Sequence, residues 1–127
     1  MILPCLFVAP SENRGRGVFT SELLLEGQAI EISPVLVLSS EERTEVEKTR
    51  LHDYIFEWGN KGGEACVAWG YLSIYNHAAE PNCRYEMDYE HQLITIRTLR
   101  AIRVGEELFI NYLPEEGDIP PIWFTVQ

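Results

Sequence analysis

Basic charge is scarce in this chain. Ten lysines and arginines face twenty aspartates and glutamates, a net charge of −10 over 127 residues. A field of that sign repels phosphate backbones, which argues against direct nucleic-acid binding. It leaves two readings, plain solubility or attraction of a basic protein partner. Cysteine is scarce too. Cys5, Cys66 and Cys83 lie far apart and form no CxxC pair. Such a set argues against a disulfide scaffold and a four-cysteine zinc site, and reads as buried or idle thiols in a reducing compartment. His52, His77 and His91 have no carboxylate or cysteine pattern around them to complete a site, so no metal is expected. Long apolar runs are missing as well. Nothing approaches the roughly 18 residues of a membrane span. Met1 to Pro10 has no basic segment, and prolines interrupt its apolar run, so no leader is expected and the chain reads as soluble and intracellular.

The hydrophobic fraction is 46%, enough for a packed core in one domain covering 1–127. Short apolar or alternating runs dominate, broken by glycine, proline and asparagine. Leu6 to Ala9, Gly17 to Thr20, Ala29 to Ile32 and Val35 to Leu38 have strand-like length and content. So do Tyr54 to Trp58, Ala65 to Trp69, Arg84 to Met87, Leu93 to Thr98 and Glu107 to Tyr112. Ser39 with Glu42 fits a capping box, and a short surface helix with a thin apolar face is expected within 41–53. One or two helical turns are expected around Gly70 to Tyr75. The spacing of Thr20, Gly27 and Ile30 is repeated by Thr98, Gly105 and Leu108, two copies of a strand–turn–strand unit. The fold class that follows is mostly β, in several small sheets with short helices.

Three segments concentrate chemistry. Arg14-Gly15-Arg16-Gly17-Val18-Phe19 has two glycines around one residue, which lets backbone groups approach a ligand; alone it also fits a hairpin turn. Tyr75-Asn76-His77-Ala78-Ala79-Glu80-Pro81-Asn82 packs polar groups into a loop whose donors and acceptors need partners. His77, taken singly, reads as a hydrogen-bonded structural residue more readily than as a base. Gly105-Glu106-Glu107-Leu108-Phe109-Ile110-Asn111-Tyr112 is a turn and an apolar strand ending at a tyrosine.

In that order, GRGVF, NHxxxPN and GEELxxxY resemble the SET domain family, over about Gly15 to Tyr112. No cysteine clusters flank the core, so the chain looks like the minimal, stand-alone SET domains of some viruses and bacteria. His52-Asp53-Tyr54-Ile55-Phe56 resembles an aromatic element of the same enzymes. The resemblance implies a SET fold whose C-terminal strand threads under the Asn76–His77 loop in a pseudoknot. The core would run over about 14–113, with 114–127 as an extension. It implies a protein-lysine N-methyltransferase that uses S-adenosylmethionine, releases S-adenosylhomocysteine, and acts on a histone or another basic protein in the cytoplasm or nucleus.

By the same resemblance, Gly15, Arg16, Gly17, Asn76, His77 and Tyr75 would contact the cofactor. Asn82 would hold the loop together. Tyr112 would be the catalytic tyrosine, with Tyr54 as a second one. Tyr54, Tyr71 and Phe109 would line the channel for the lysine; for the tyrosines the competing reading is core packing. After Tyr112 the family's glycine and aromatic give way to Leu113-Pro114-Glu115-Glu116, which leaves the number of methyls added open. This departure also keeps a second reading, a module that binds cofactor or basic peptide with weak or no turnover. Trp123 and Phe124 either fold back over the site or form a tail or dimer contact. A homodimer is compatible with so small a core.

Overall fold

The computed structural model describes residues 1–12, 14–59 and 63–111. In chain order the strands are β1 (Leu6–Ser11), β2 (Gly15–Thr20), β3 (Ala29–Leu38), β4 (Ile55–Glu57), β5 (Ala65–Ala68), β6 (Asn76–His77), β7 (Cys83–Asp88), β8 (Leu93–Thr98) and β9 (Glu107–Ile110). Helix α1 (Ser40–Val46) and a 3-10 turn (Arg50–Tyr54) separate β3 from β4. The mostly β expectation holds.

The described strands form two sheets. One has the order β1-β2-β9-β6, and the other β4-β5-β3-β8-β7. The ten-residue β3 covers both runs foreseen at Ala29 to Ile32 and Val35 to Leu38. Its first half pairs β8, ending at Pro34 opposite Leu93, and its second half pairs β5, starting at Val35 opposite Ala68. Proline has no N–H to give a ladder, so it is tolerated where the strand changes partner. That is why the sequence looks like two strands there.

The helix is short and stops well before residue 53. The capping box forms: Ser39 Oγ accepts from the Glu42 N–H, and the Ser39 N–H donates to Glu42 Oε1. Yet α1 ends at Val46, and Thr49 starts a separate turn by accepting from the Leu51 N–H. A threonine hydroxyl that caps its own downstream amide competes with helix continuation. No residue of α1 is buried, so packing does nothing to extend it. Around Gly70 to Tyr75 there are turns rather than helix, with the Ile74 N–H donating to the Tyr71 carbonyl.

The core gathers Leu6, Val18, Leu24, Ile30, Phe56, Leu72, Ile94, Ile96, Ile102, Leu108 and Ile110 between the sheets, all nearly or fully buried. The two echoing sequence units meet there. Leu24 and Ile102 exchange backbone hydrogen bonds, while the Gly105 N–H donates to the Thr20 carbonyl and the Gly27 N–H to the Thr98 carbonyl. The repeat thus pairs with itself, one copy antiparallel to the other. Cys5, Cys66 and Cys83 are buried free thiols, and burial pushes Cys66 and Cys83 up to about 12.

Candidate active site

Strand pairing brings the three motifs together. β9 lies between its two partners: antiparallel to β2 through Val18–Leu108 and Phe19–Glu107, and parallel to β6 through Asn76–Phe109 and His77–Ile110. The segment of GEEL is therefore flanked by the glycine motif on one side and the asparagine–histidine motif on the other. Antiparallel partners can be joined by a tight hairpin, but a parallel partner needs a long connection. Here that connection is 78–106, which loops around through β7 and β8.

Asn82 locks the junction. Its Nδ2 donates to the Glu107 carbonyl at 2.9 Å, its Oδ1 accepts from the Phe109 N–H at 2.8 Å, and its own carbonyl accepts from the Leu99 N–H. The residue is buried, and these bonds satisfy two backbone groups of β9. The Ala78 N–H adds a bond to the Ile110 carbonyl.

Beside this junction, Arg14, Gly15, Arg16, Tyr54, Ser73, Ile74 and Asn76 line a cavity of about 320 Å³. Asn76 Nδ2 donates to the Arg16 carbonyl at 2.9 Å and to Glu107 Oε2 at 2.7 Å. Glu107 Oε1 accepts from Ser11 Oγ at 2.6 Å. A Cβ on Gly17 would overlap the Glu107 carboxylate and stand 3.0 Å from Asn76 Nδ2. Glycine at 17 is thus a packing requirement set by two polar side chains, Glu107 and the cavity-lining Asn76. The Arg14 guanidinium stands 5.2 Å from the centre of the Phe109 ring, within cation–π range. Half-buried His77 has its pKa lowered by burial and by the Arg14 charge, which favours the neutral ring.

A second carboxylate anchors the same loop from the other sheet. Glu31 has no accessible surface. Its Oε2 accepts from Ser33 Oγ and the Tyr71 N–H, and its Oε1 from the Tyr75 hydroxyl, each at 2.8 Å. Burial raises the pKa of Glu31 despite these donors, and it raises that of Tyr75 as well. Gly70, at φ +80°, passes so close that a Cβ would meet the Glu31 carboxylate.

The expected site residues therefore divide. Gly15, Arg16, Asn76 and Tyr54 share one cavity wall. Gly17, His77 and Phe109 belong to the strands behind it. Tyr75 requires a correction: it has no accessible surface, and its ring is a core element tied to Glu31 rather than a cofactor contact. Tyr71 packs against the core and gives its N–H to Glu31. Tyr112, Trp123 and Phe124 lie outside the described residues. Sequence reasoning missed Glu31, Glu107 and Ser11. A charge at Glu31 inside an apolar strand was the available signal; for Glu107 and Ser11, 96 residues apart, there was none. Among the described residues, no group of three or more His, Cys, Asp and Glu side chains is placed to hold a metal ion, and no helix is long and apolar enough to cross a membrane.

Comparison with known proteins agrees with this geometry. The SET domain family model matches residues 15–113. A histone-lysine N-methyltransferase of Schizosaccharomyces pombe, specific for H3 lysine-37, is 38% identical over 120 residues, covering 94% of this chain and 76% of the relative. Among solved structures, ctPRC2 bound to S-adenosylmethionine superposes with a TM-score of 0.73 at 24% identity, over 87% of this chain and 15% of that one. A humanized mutant of the Chaetomium thermophilum Polycomb Repressive Complex 2 bound to the inhibitor GSK343 gives 0.75 at 23% identity, over 94% and 16%. At such identity these two speak for the fold alone. The motif order, the pairing of β9 with both other motifs and the family match agree: the chain belongs to the SET domain family.

Proposed function

We propose that the chain is a protein-lysine N-methyltransferase that takes its methyl group from S-adenosylmethionine and gives it to a lysine of a histone or another basic protein. One observation carries the reading: Gly15, Arg16, Asn76 and Tyr54, from three separate motifs, line a single cavity. Its wall suits an α-amino acid end. Asn76 Oδ1 takes no donor from the described residues and is an acceptor for an ammonium, while Arg14 and Arg16 bring positive charge for a carboxylate. When bound, S-adenosylmethionine supplies a methyl group already activated on a sulfonium.

What the protein adds is alignment and a neutral amine. Holding two reactants in line is worth roughly 7–11 kcal/mol of barrier. A lysine amine loses its proton more easily where aromatic walls exclude water and a sulfonium stands near. Tyr54, on the cavity wall, and Tyr112 are assigned to orient that amine through their hydroxyls, with Phe109 and Tyr71 supporting the channel. Gly15, Arg16, Gly17 and His77 are assigned to the cofactor, mainly by backbone. The net charge of −10 favours basic tails. Residues 1–127 act as one unit with its core over 14–113, in a soluble compartment and without a metal.

The test is incubation with S-adenosylmethionine and histones, followed by mass spectrometry of the peptides. Methylated lysine is expected, and Tyr112→Phe should lower turnover at least about a hundredfold. Cofactor binding without any methylated product contradicts the enzyme reading and favours the binding module.

A further inference from the structure

We infer that Glu107 is a positioning residue that fixes which end of the Asn76 amide faces the ligand, and so makes the cavity selective for a cationic amino group. The inference rests on the proposed cofactor reading and adds a specificity device to it.

A planar amide fits its slot two ways, with oxygen and NH₂ exchanged. Neighbours decide. Both partners of Asn76 Nδ2 are pure acceptors: the Arg16 carbonyl and the Glu107 carboxylate. Turning the amide over would set its oxygen against two others and forfeit both bonds. The orientation leaves Oδ1 pointing elsewhere, without a donor from the described residues. Asn76 is only half-buried and lines the cavity, which leaves it within reach of a ligand. An open acceptor on a cavity wall suits an ammonium.

Glu107 can impose this because it is itself held at both ends. Ser11 Oγ donates to its Oε1, and Asn82 fixes its backbone carbonyl. The chain of bonds runs Ser11, Glu107, Asn76, so a residue of β1 sets the polarity of a residue of β6 across two intervening strands. The missing Cβ at Gly17 leaves the carboxylate room to lie there. Arg16's carbonyl alone would offer one acceptor, which a water or a rotated amide can replace.

The experiment compares two ligands: S-adenosylhomocysteine and its desamino analogue, in which hydrogen replaces the amino group. Affinities of each are measured by calorimetry for the wild type, Glu107→Met and Glu107→Gln. The wild type should prefer the amine-bearing ligand by roughly tenfold or more. Glu107→Met, which keeps bulk but no acceptor, should reduce that preference to about threefold or less, with desamino affinity nearly unchanged. Glu107→Gln can still turn an oxygen to Asn76 and its NH₂ to Ser11, so it should keep more of the preference than Met. A Met variant that weakens both ligands alike, or that keeps the full preference, overturns the inference. Should the Met variant fail to fold, Ser11→Ala decides: a loss of preference by about threefold is expected, and an unchanged preference overturns it. If the wild type binds neither ligand, the cofactor reading itself falls.

Discussion

Two carboxylates hold one loop, and they do so by opposite physics. Glu31, in the five-stranded sheet, is wholly buried and accepts from Ser33, Tyr71 and Tyr75. Glu107, in the four-stranded sheet, is only partly buried and reaches forward to Asn76 at the cavity. Both stand against a glycine with no space for a Cβ, Gly70 for the first and Gly17 for the second. The first clamp fixes where segment 70–75 lies; the second fixes what residue 76 presents. A site can thus be steadied by a core that never touches the ligand, and tuned by a side chain one contact away from it.

The largest effect that separates the two clamps is expected from Gly70→Ala. The new methyl would overlap the Glu31 carboxylate at a backbone angle of +80°, and a loss of about 3–4 kcal/mol of unfolding free energy should appear in urea titrations. A loss under about 1 kcal/mol would remove Glu31 from the account of the loop.

Asn82→Ala should cost about 2 kcal/mol, since it leaves the Phe109 N–H and the Glu107 carbonyl unpaired in a buried setting. Unlike Gly70→Ala, it should weaken S-adenosylhomocysteine binding out of proportion to its stability loss, because it loosens β9 directly under Glu107. Proportional losses in both variants would make the two clamps equivalent and erase the distinction.

The pH dependence sharpens it further. Burial raises Glu31 above 4.5, so the folded chain keeps a proton that the unfolded chain releases. Its contribution is fully present below pH 4.5 and is lost as pH rises through the folded value. The Tyr75 hydroxyl and the Met1 amino group are the other ionisable groups acting on it. The stability of the wild type relative to Glu31→Gln should therefore decline from pH 4.5 upward. A flat difference would mean that Glu31 titrates as if exposed.

Ser39→Ala is the small control, outside both clamps. Losing the capping box should cost about 1 kcal/mol and leave ligand affinity untouched. A change in affinity would show that α1 communicates with the cavity.

Much of this was legible in the sequence, and what was not has a common cause. The strand runs, the capping box and the three motifs are local patterns, so periodicity and spacing expose them. The resemblance also brought Asn76, Gly15 and Arg16 to one place, and Tyr54 stands with them. The Glu31 and Glu107 networks join residues 40 and 31 apart in sequence, where no local pattern predicts a meeting. Tyr75 was misjudged because its neighbour Asn76 faces the cavity. Tyr75 sits in the bend just before β6, and its side chain is buried in the core. The helix expected within 41–53 stops at Val46, because its helix-forming charges do not carry it past Thr49, which caps a new turn.

A crystal structure with S-adenosylhomocysteine tests the account most directly. It should place the ligand's amino group within hydrogen-bonding distance of Asn76 Oδ1, with Glu107 still bound to Nδ2 and Tyr54 on the wall of the same cavity. A ligand seated elsewhere, or an Asn76 amide turned to offer its NH₂, would contradict it.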